Sequence, residues 1–397
     1  RGARAAGSGR HGERSEAPER RGAGDTVSGA MRSVHTAYAQ RVVFGPQSID
    51  EVPAIVREVG ARRVLVVTTA GRAESDAGRR LISRLGRAAV GTFDGASPHV
   101  PTSTVEAAVR AARAADIDGV VSFGGGSCAD LGKAVCWFLE REAGTPGASF
   151  VDRPLVAHVS VPTTYSGAEL TPHFGMTDPG TRRKTGGGGP TIAPLAAVYD
   201  PVLTLDLPVG VSAETGMNAL AHGIECAYSP SRSAEAEVLA LACVREVAAA
   251  LPDIVDDPFD IDARTRMLRA SMLGGRALQN ATMGVHHGLA QLIGGRTGIS
   301  HGLANAVILA HAVRFNADAV PEEMARIGDA LGDPDDAAGA VDRLRERLGL
   351  PGSLADCGLT IDDLDAVARM SGGNPSVSAN PRPVSEDDAR AILAAAY

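Results

Sequence analysis

The stretch IDGVVSFGGGSCADLGKAVCWFLE (117–140) decides the fold. It opens with a short apolar run rich in β-branched residues and bounded by glycine, which reads as a buried strand. Gly124, Gly125 and Gly126 break the run, and from Ala129 to Glu140 the apolar residues recur at the helical period. A strand that turns sharply into a helix is the repeating unit of a parallel α/β layer.

The same unit recurs on both sides. RRVLVVTT (62–69) is a continuous apolar strand followed by a helical stretch near 73–88. AVGTFDGA (89–96) is a strand followed by the helical TSTVEAAVRAARAA (102–115). LVAHVSVPTT (155–164) and AAVYDP (196–201) read as further strands, and GGGG (186–189) reads as a flexible loop. After Pro208 the texture changes. SAETGMNALAHGIECAYS, SAEAEVLALACVREVAAAL, ARTRMLRASMLGGRALQ and DAAGAVDRLRERLGL all fit the helical period, and β-branched runs become rare. The expected architecture is a doubly wound α/β domain over 31–205 and an all-helical domain over 206–397.

Residues 1–30 stand apart. They are rich in arginine and glycine, and Val27 is their only branched aliphatic, too little apolar surface to fold. Glu13, Glu16, Glu19 and Asp25 argue against a transit peptide. The segment is expected to be a disordered extension upstream of a natural start at Met31.

The chain has 397 residues, of which 44% are hydrophobic and 22% charged, with a net charge of −8. A chain of that size can bury a large core, and its acidity argues against a nucleic-acid partner. Cys128, Cys136, Cys226, Cys243 and Cys357 are odd in number and form no C-x-x-C pair. They are expected to be reduced thiols in a cytoplasmic protein. No apolar run reaches the ~18–20 residues of a membrane span, so no membrane partner is expected.

Two regions carry candidate chemistry. In FGGGSCADLGK (123–133), glycines at the mouth of a helix let backbone N–H groups approach a pyrophosphate, although a tight turn needs the same residues. Gly124, Gly126 and Ala129 satisfy G-x-G-x-x-A, and Ser127 rules out a P-loop. VPTTYSGAE (161–169) offers hydroxyls for a ribose or a nicotinamide amide, or for a helix cap. In the second half, Asn218 and His222 share one helical face, as do His287 and Gln291. His301 follows His287 at a distance of ~21 Å in an unbroken helix. Gly294, Gly295 and Gly298 supply a place to break it, so His222, His287 and His301 can converge. Three separately hydrogen-bonded histidines remain the alternative.

GGGSCADLGK, VPTTYSGAE, YDPVLTLDLP, GMNALAHGIE and HHGLAQLIGG…SHG follow one another in the order of the group III, iron-type alcohol dehydrogenases, and the chain resembles that family over residues 34–397. Within it, FDGASPHVP (93–101), TTYSGAELTP (163–172), the RKT turn (183–185), the doubled His286-His287 and the tail NPRPVSEDDARAIL (380–393) resemble maleylacetate reductases. The resemblance implies the dehydroquinate synthase-like fold, with a cleft between the α/β and helical parts. It implies that Gly124, Gly125, Gly126, Ser127 and Asp130 lie along the pyrophosphate of NADH or NADPH, with Thr163, Thr164 and Lys184 nearer the ribose and nicotinamide. It implies a homodimer or larger assembly.

In iron-type dehydrogenases an aspartate and three histidines bind the metal, and the matching positions here are Asn218, His222, His287 and His301. An amide oxygen is a poorer ligand for Fe²⁺ or Zn²⁺ than a carboxylate. The resemblance and this residue together point to a metal-free reductase of a small anionic substrate, with Fe or Zn as the alternative. Such a reductase would reduce the enone double bond of maleylacetate to 3-oxoadipate, in aromatic-compound degradation. His222, His287 and His301 are expected to act as imidazolium donors to developing charge. Asn218, His286 and Gln291 are expected to line the substrate. Gln291 stands where relatives have histidine and cannot titrate, so the proton falls to His287, Tyr165 or water. Thr69 stands where an acidic acceptor of the ribose 2′-OH would sit, and Arg72 is close enough to meet a 2′-phosphate, so both nucleotides are expected to work. Competing readings are a metal-dependent alcohol or aldehyde reductase, a lyase of the dehydroquinate synthase type, and a repurposed biosynthetic or binding protein altered at Gln291.

Overall fold

The computed structural model describes residues 34–145, 154–180 and 183–397. The expected extension at 1–30 lies outside them. The strands are β1 (Arg41–Phe44), β2 (Val64–Val67), β3 (Ala89–Phe93), β4 (Gly119–Gly124), β5 (Ala157–Pro162), β6 (His173–Asp178), β7 (Arg183–Gly188) and β8 (Ala196–Tyr199). Six of them form one parallel sheet in the order β1-β8-β5-β4-β2-β3.

Between the strands run α1 (Val52–Glu58), α2 (Ala70–Ala73), α3 (Asp76–Leu85), α4 (Thr102–Ala114) and α5 (Gly126–Glu142). Alternate strand residues feed two cores. Val64, Val66, Val121 and Val159 pack with Val52, Ile55 and Leu81 from α1 and α3, while Leu65, Val67 and Val120 pack with Val105, Val109 and Leu131 from α4 and α5. Burial on both faces explains the continuous apolar runs. The chain passes from β2 out to β3, then returns to place β4 on the other side of β2. The strand order therefore reverses between β2 and β4, and ligands of such sheets bind outside the carboxyl ends of those strands.

GGGG (186–189) is not the flexible loop expected from its composition. Gly186, Gly187 and Gly188 lie in β7, which pairs antiparallel with β6. A Cβ at Gly187 would meet both Phe174 and Trp137 at 3.0 Å. Glycine lets the hairpin pack closely onto those rings, so the requirement is for space rather than for freedom. β1 and the β6–β7 hairpin escaped the sequence reading because neither has a continuous buried apolar run: β1 has no buried residue, and β6 has only Phe174.

Helices follow: α6 (Val209–Tyr228), α7 (Ala234–Asp256), α8 (Ile261–Ala277), α9 (Val285–Thr297), α10 (His301–Asn316), α11 (Pro321–Leu331), α12 (Ala337–Arg347), α13 (Ile361–Ser371), α14 (Pro375–Ser378) and α15 (Glu386–Ala395). α6 is buried along most of its length, packed among α7, α8 and α10. The break between α9 and α10 falls where the glycines allow it. Gly298 ends α9 at φ 79°, and the Ser300 side chain accepts from Leu303 N to start α10. Gly294 stays inside the helix.

Candidate active site

Two walls meet at the cleft. On the α/β side, α5 begins at the carboxyl end of β4, and its N-cap, Gly125, has no side-chain cap. Thr164 stands over Gly125 and Ser166 over Gly126, where a Cβ would meet them at 3.1 and 3.0 Å. Thr163 continues the ladder, with its N–H on Gly124 O at 3.0 Å. Uncapped N–H groups at the start of a long helix, bare of side chains, fit a nucleotide diphosphate. Thr69 follows β2 and caps α2 by accepting from Arg72 N. The partly buried Arg72 guanidinium lies within the electrostatic influence of Asp206 and of Cys128, in the first turn of α5.

On the helical side, His222 of α6, His287 of α9 and His301 at the start of α10 come together. The rings of His222 and His287 stack with centroids 4.7 Å apart and planes 13° apart. The rings of His287 and His301 are 5.8 Å apart and tilted by 56°. Asn218 sits one turn before His222 on the same face. Gln291 lies one turn after His287, half-buried.

Behind the rings lies a buried network. Glu225 of α6 reaches the start of α9, where its carboxylate accepts the backbone N–H of His286 at 3.1 Å and of His287 at 3.3 Å. Gly284, the N-cap of α9, has no side chain to do this, and the carboxylate also favours the positive end of the helix dipole. Glu225 Oε2 lies 2.6 Å from His287 Nδ1. His286 Nε2 lies 3.0 Å from the Asn305 carbonyl, which can only accept, so His286 carries its proton there. His286 Nδ1 is then an acceptor, 3.2 Å from His287 Nδ1. The network assigns His287 the Nδ1–H tautomer, donated to Glu225. Its Nε2 is left buried and without a partner.

Burial, more than any neighbour, holds all these imidazoles neutral. It pushes His287 down to about 3 and His286 to about 4, and holds His222 and His301 well below the ordinary histidine range. This corrects the expectation of imidazolium groups. The cation of the cleft is Lys184 on β7, whose charge further depresses His287 and His301. Lys184 opens onto solvent, and partial desolvation lowers its own value, with Asp130 opposing.

The donor set does not converge on one ion. A metal lies in the plane of each imidazole that binds it, about 2.0–2.1 Å from the nitrogen. The stacked, nearly parallel rings of His222 and His287 share no such point. The Asn218 oxygen is taken by Asn305 Nδ2 at 2.6 Å. Among the described residues, the trio with donor atoms within 4.8 Å of one another is Glu225, His286 and His287, and it spends those atoms on its own hydrogen bonds.

Three expected site residues are placed elsewhere. Tyr165 is fully buried, and its hydroxyl accepts from Arg264 at 3.1 Å. Arg264 also donates to Ser212, which precedes His222 by about 15 Å along α6. His286 stands behind His287 rather than in the cleft, with both ring nitrogens engaged. Asp130 turns its carboxylate to Lys133 Nζ at 2.8 Å and to Gly175 N at 3.3 Å, bracing the hairpin instead of standing free along a diphosphate.

Four residues were missed. Glu225 and Asn305 belong to the network. His173 opens β6 and influences His222. His99, with Val100, holds a positive φ (61° and 46°), and its ring meets the Gly298 and Ile299 backbone, tying the α/β side to the α9–α10 turn. Paired positive φ values at non-glycine residues are strained and gather at functional sites. The doubled His-His, the FDGASPHVP motif, which contains His99, and GMNALAHGIE, which ends on Glu225, were the hints at them.

The iron-containing alcohol dehydrogenase profile matches residues 39–201, and the C-terminal profile of the same family matches 212–397. The chain is 41% identical to maleylacetate reductase 2 of Cupriavidus pinatubonensis over 74% of this chain and 77% of that protein. It superposes on a maleylacetate reductase from Agrobacterium tumefaciens with a TM-score of 0.81, at 36% identity, covering 93% of this chain and 99% of that one. It also superposes on sulfoacetaldehyde reductase from Bifidobacterium kashiwanohense, solved in complex with NAD+, with a TM-score of 0.82 at 26% identity, covering 92% and 99%.

Proposed function

This chain belongs to the iron-containing alcohol dehydrogenase family and is an oxidoreductase, and from that premise we propose that it uses NADH or NADPH to reduce the carbon–carbon double bond of maleylacetate, giving 3-oxoadipate without a metal. The observation that carries the reading is the polarity of the cleft: Lys184 brings positive charge beside neutral imidazoles and a carboxamide. Such a wall favours a dianionic enone over a neutral alcohol.

Gly124, Gly125, Gly126 and Ser127, with Thr69 and Thr164, would hold the nucleotide, which would supply hydride for the carbon β to the ketone. The chain's own groups manage the charge that shifts to the ketone oxygen. Lys184 and the cleft N–H donors stabilise that oxygen and the two carboxylates. His287 Nε2 stays an acceptor while Nδ1–H is held by Glu225, so His287 orients the reacting groups rather than delivering a proton. The proton that completes the α carbon comes from solvent, reached past the half-buried His301. Gln291 does not titrate, and Tyr165 is turned away.

The test is NADH and NADPH oxidation with maleylacetate, before and after extensive chelation. Turnover that survives chelation supports the reading. Turnover lost to chelator and restored by Fe²⁺ or Zn²⁺ replaces it with a metal-dependent reductase, and absence of turnover removes maleylacetate as substrate.

A further inference from the structure

We infer that Asn305 is a positioning residue: by taking the carboxamide oxygen of Asn218, it turns the Asn218 N–H face to the cleft, so that this position binds a substrate oxygen rather than a metal cation. The inference rests on the reading proposed above and adds the residue that sets its ligand preference.

Asn218 and His222 are spaced one turn apart on α6, and His301 and Asn305 one turn apart on α10. The two helices thus present an amide and an imidazole each, and the amides meet. Asn305 is fully buried and donates from Nδ2 to Asn218 Oδ1 at 2.6 Å. The backbone of Asn305 is fixed as well, because its carbonyl accepts from His286 at 3.0 Å. One residue therefore holds both the amide at the front of the site and the imidazole chain behind it.

The direction of the amide pair follows from its unpaired atoms. Asn305 Oδ1 is buried without a partner. Exchanging the amide atoms would instead bury both N–H bonds of Asn305 without an acceptor, and orphaned donors are the rarer arrangement. With Asn218 Oδ1 committed, its Nδ2 has no protein partner among the described residues and is not sealed from solvent, unlike His287 Nε2. It can donate to a carboxylate or an enolate oxygen. The bond from Asn305 aims the Asn218 oxygen at α10 and occupies one of its two lone pairs, so the group it presents to the cleft is the N–H donor.

The experiment uses the full chain as wild type, Asn305→Leu and Asn305→Asp. Leucine keeps the size and removes the donor, freeing the Asn218 amide to rotate. The expected result is a rise of about tenfold or more in KM for maleylacetate, the loss of one hydrogen bond to a charged group, with KM for NADH unchanged. Aspartate accepts from Asn218 Nδ2 and turns its oxygen into the cleft. Asn305→Asp is expected to bind Zn²⁺ about tenfold or more tighter than wild type, read as metal retained per chain after equilibration with zinc sulfate and gel filtration. A carboxylate at 305 also draws a cation by its own charge, so the double variant Asn218→Ala/Asn305→Asp is measured beside it: the gain in zinc affinity is expected to vanish without the Asn218 oxygen, and a gain that persists overturns the inference. A folded Asn305→Leu with an unchanged KM, or a folded Asn305→Asp with wild-type zinc affinity, overturns the inference. Should the wild type not turn over maleylacetate, the substrate assignment falls, and the zinc comparison still decides the role of Asn305.

Discussion

The Nδ1 atom of His287 lies 2.6 Å from Oε2 of Glu225, and both side chains are buried. The same carboxylate holds the first backbone N–H groups of α9. Chain geometry and ring geometry are therefore set by one group. Glu225→Leu is expected to remove the acceptor of four donors, the His286 and His287 N–H groups, His287 Nδ1 and the Tyr228 hydroxyl, lowering stability by several kcal/mol at about 1–3 kcal/mol each. It should also cut kcat by about 10- to 100-fold, as loss of a partner that orients an imidazole does elsewhere. Glu225→Gln keeps one acceptor and should recover part of both. Chemical denaturation and steady-state kinetics check this, and a folded Glu225→Leu with wild-type kcat would remove the orienting role.

Lys184→Met is expected to raise KM for maleylacetate by about tenfold or more. Because the wild-type cation acts on a dianion across an open cleft, added salt should weaken wild-type binding more than that of the variant. Release from the ammonium should also move His287 and His301 upward in pH. A salt dependence identical in both proteins would show that Lys184 does not meet the substrate.

Arg72, in the short helix α2 that follows β2, lies within the electrostatic influence of Cys128 in the first turn of α5. Arg72→Ala is expected to lower kcat/KM with NADPH by about tenfold, one charge-assisted contact, and to leave NADH nearly unaffected. Equal losses with both nucleotides would place Arg72 on the diphosphate instead.

His158 lies wholly inside the sheet, with Nε2 2.8 Å from Ser122 Oγ. Burial first, and Lys133 second, push it down to about 3. The unfolded chain binds a proton here below about pH 6.5, while the folded chain refuses it down to about 3. The folded state therefore loses stability at this residue as pH falls through that window, by about 1.4 kcal/mol per unit. His158→Gln removes the titration, so its deficit relative to wild type should shrink between about pH 6.5 and 4. Urea unfolding at several pH values measures the gap, and a gap that is constant with pH would refute the burial argument.

The α/β layer was legible because its strands are buried on both faces, and a strand such as Val64–Val67 has no polar side to obscure it. The break between His287 and His301 was legible for a different reason, since Gly298 and Ser300 act locally. The β6–β7 hairpin was not. Its glycines answer to Phe174 and Trp137, and Trp137 is distant in the chain. Tyr165 was misread because a hydroxyl beside a polar turn gives no sign that Arg264 will claim it.

By itself, the sequence determined the alternation of the buried strands with helices, the glycine turn beside β4, and which imidazoles could meet. These follow from periodicity and local capping, which act over a few residues. Only the tertiary structure decided that those imidazoles are neutral, that His287 faces the cleft with a lone pair, and that Asn218 has its oxygen already engaged. Protonation, tautomer and amide orientation depend on burial and on partners such as Glu225 and Asn305, which approach from other helices. No local pattern encodes such a partner, because the energy that selects it exists only once the helices have packed.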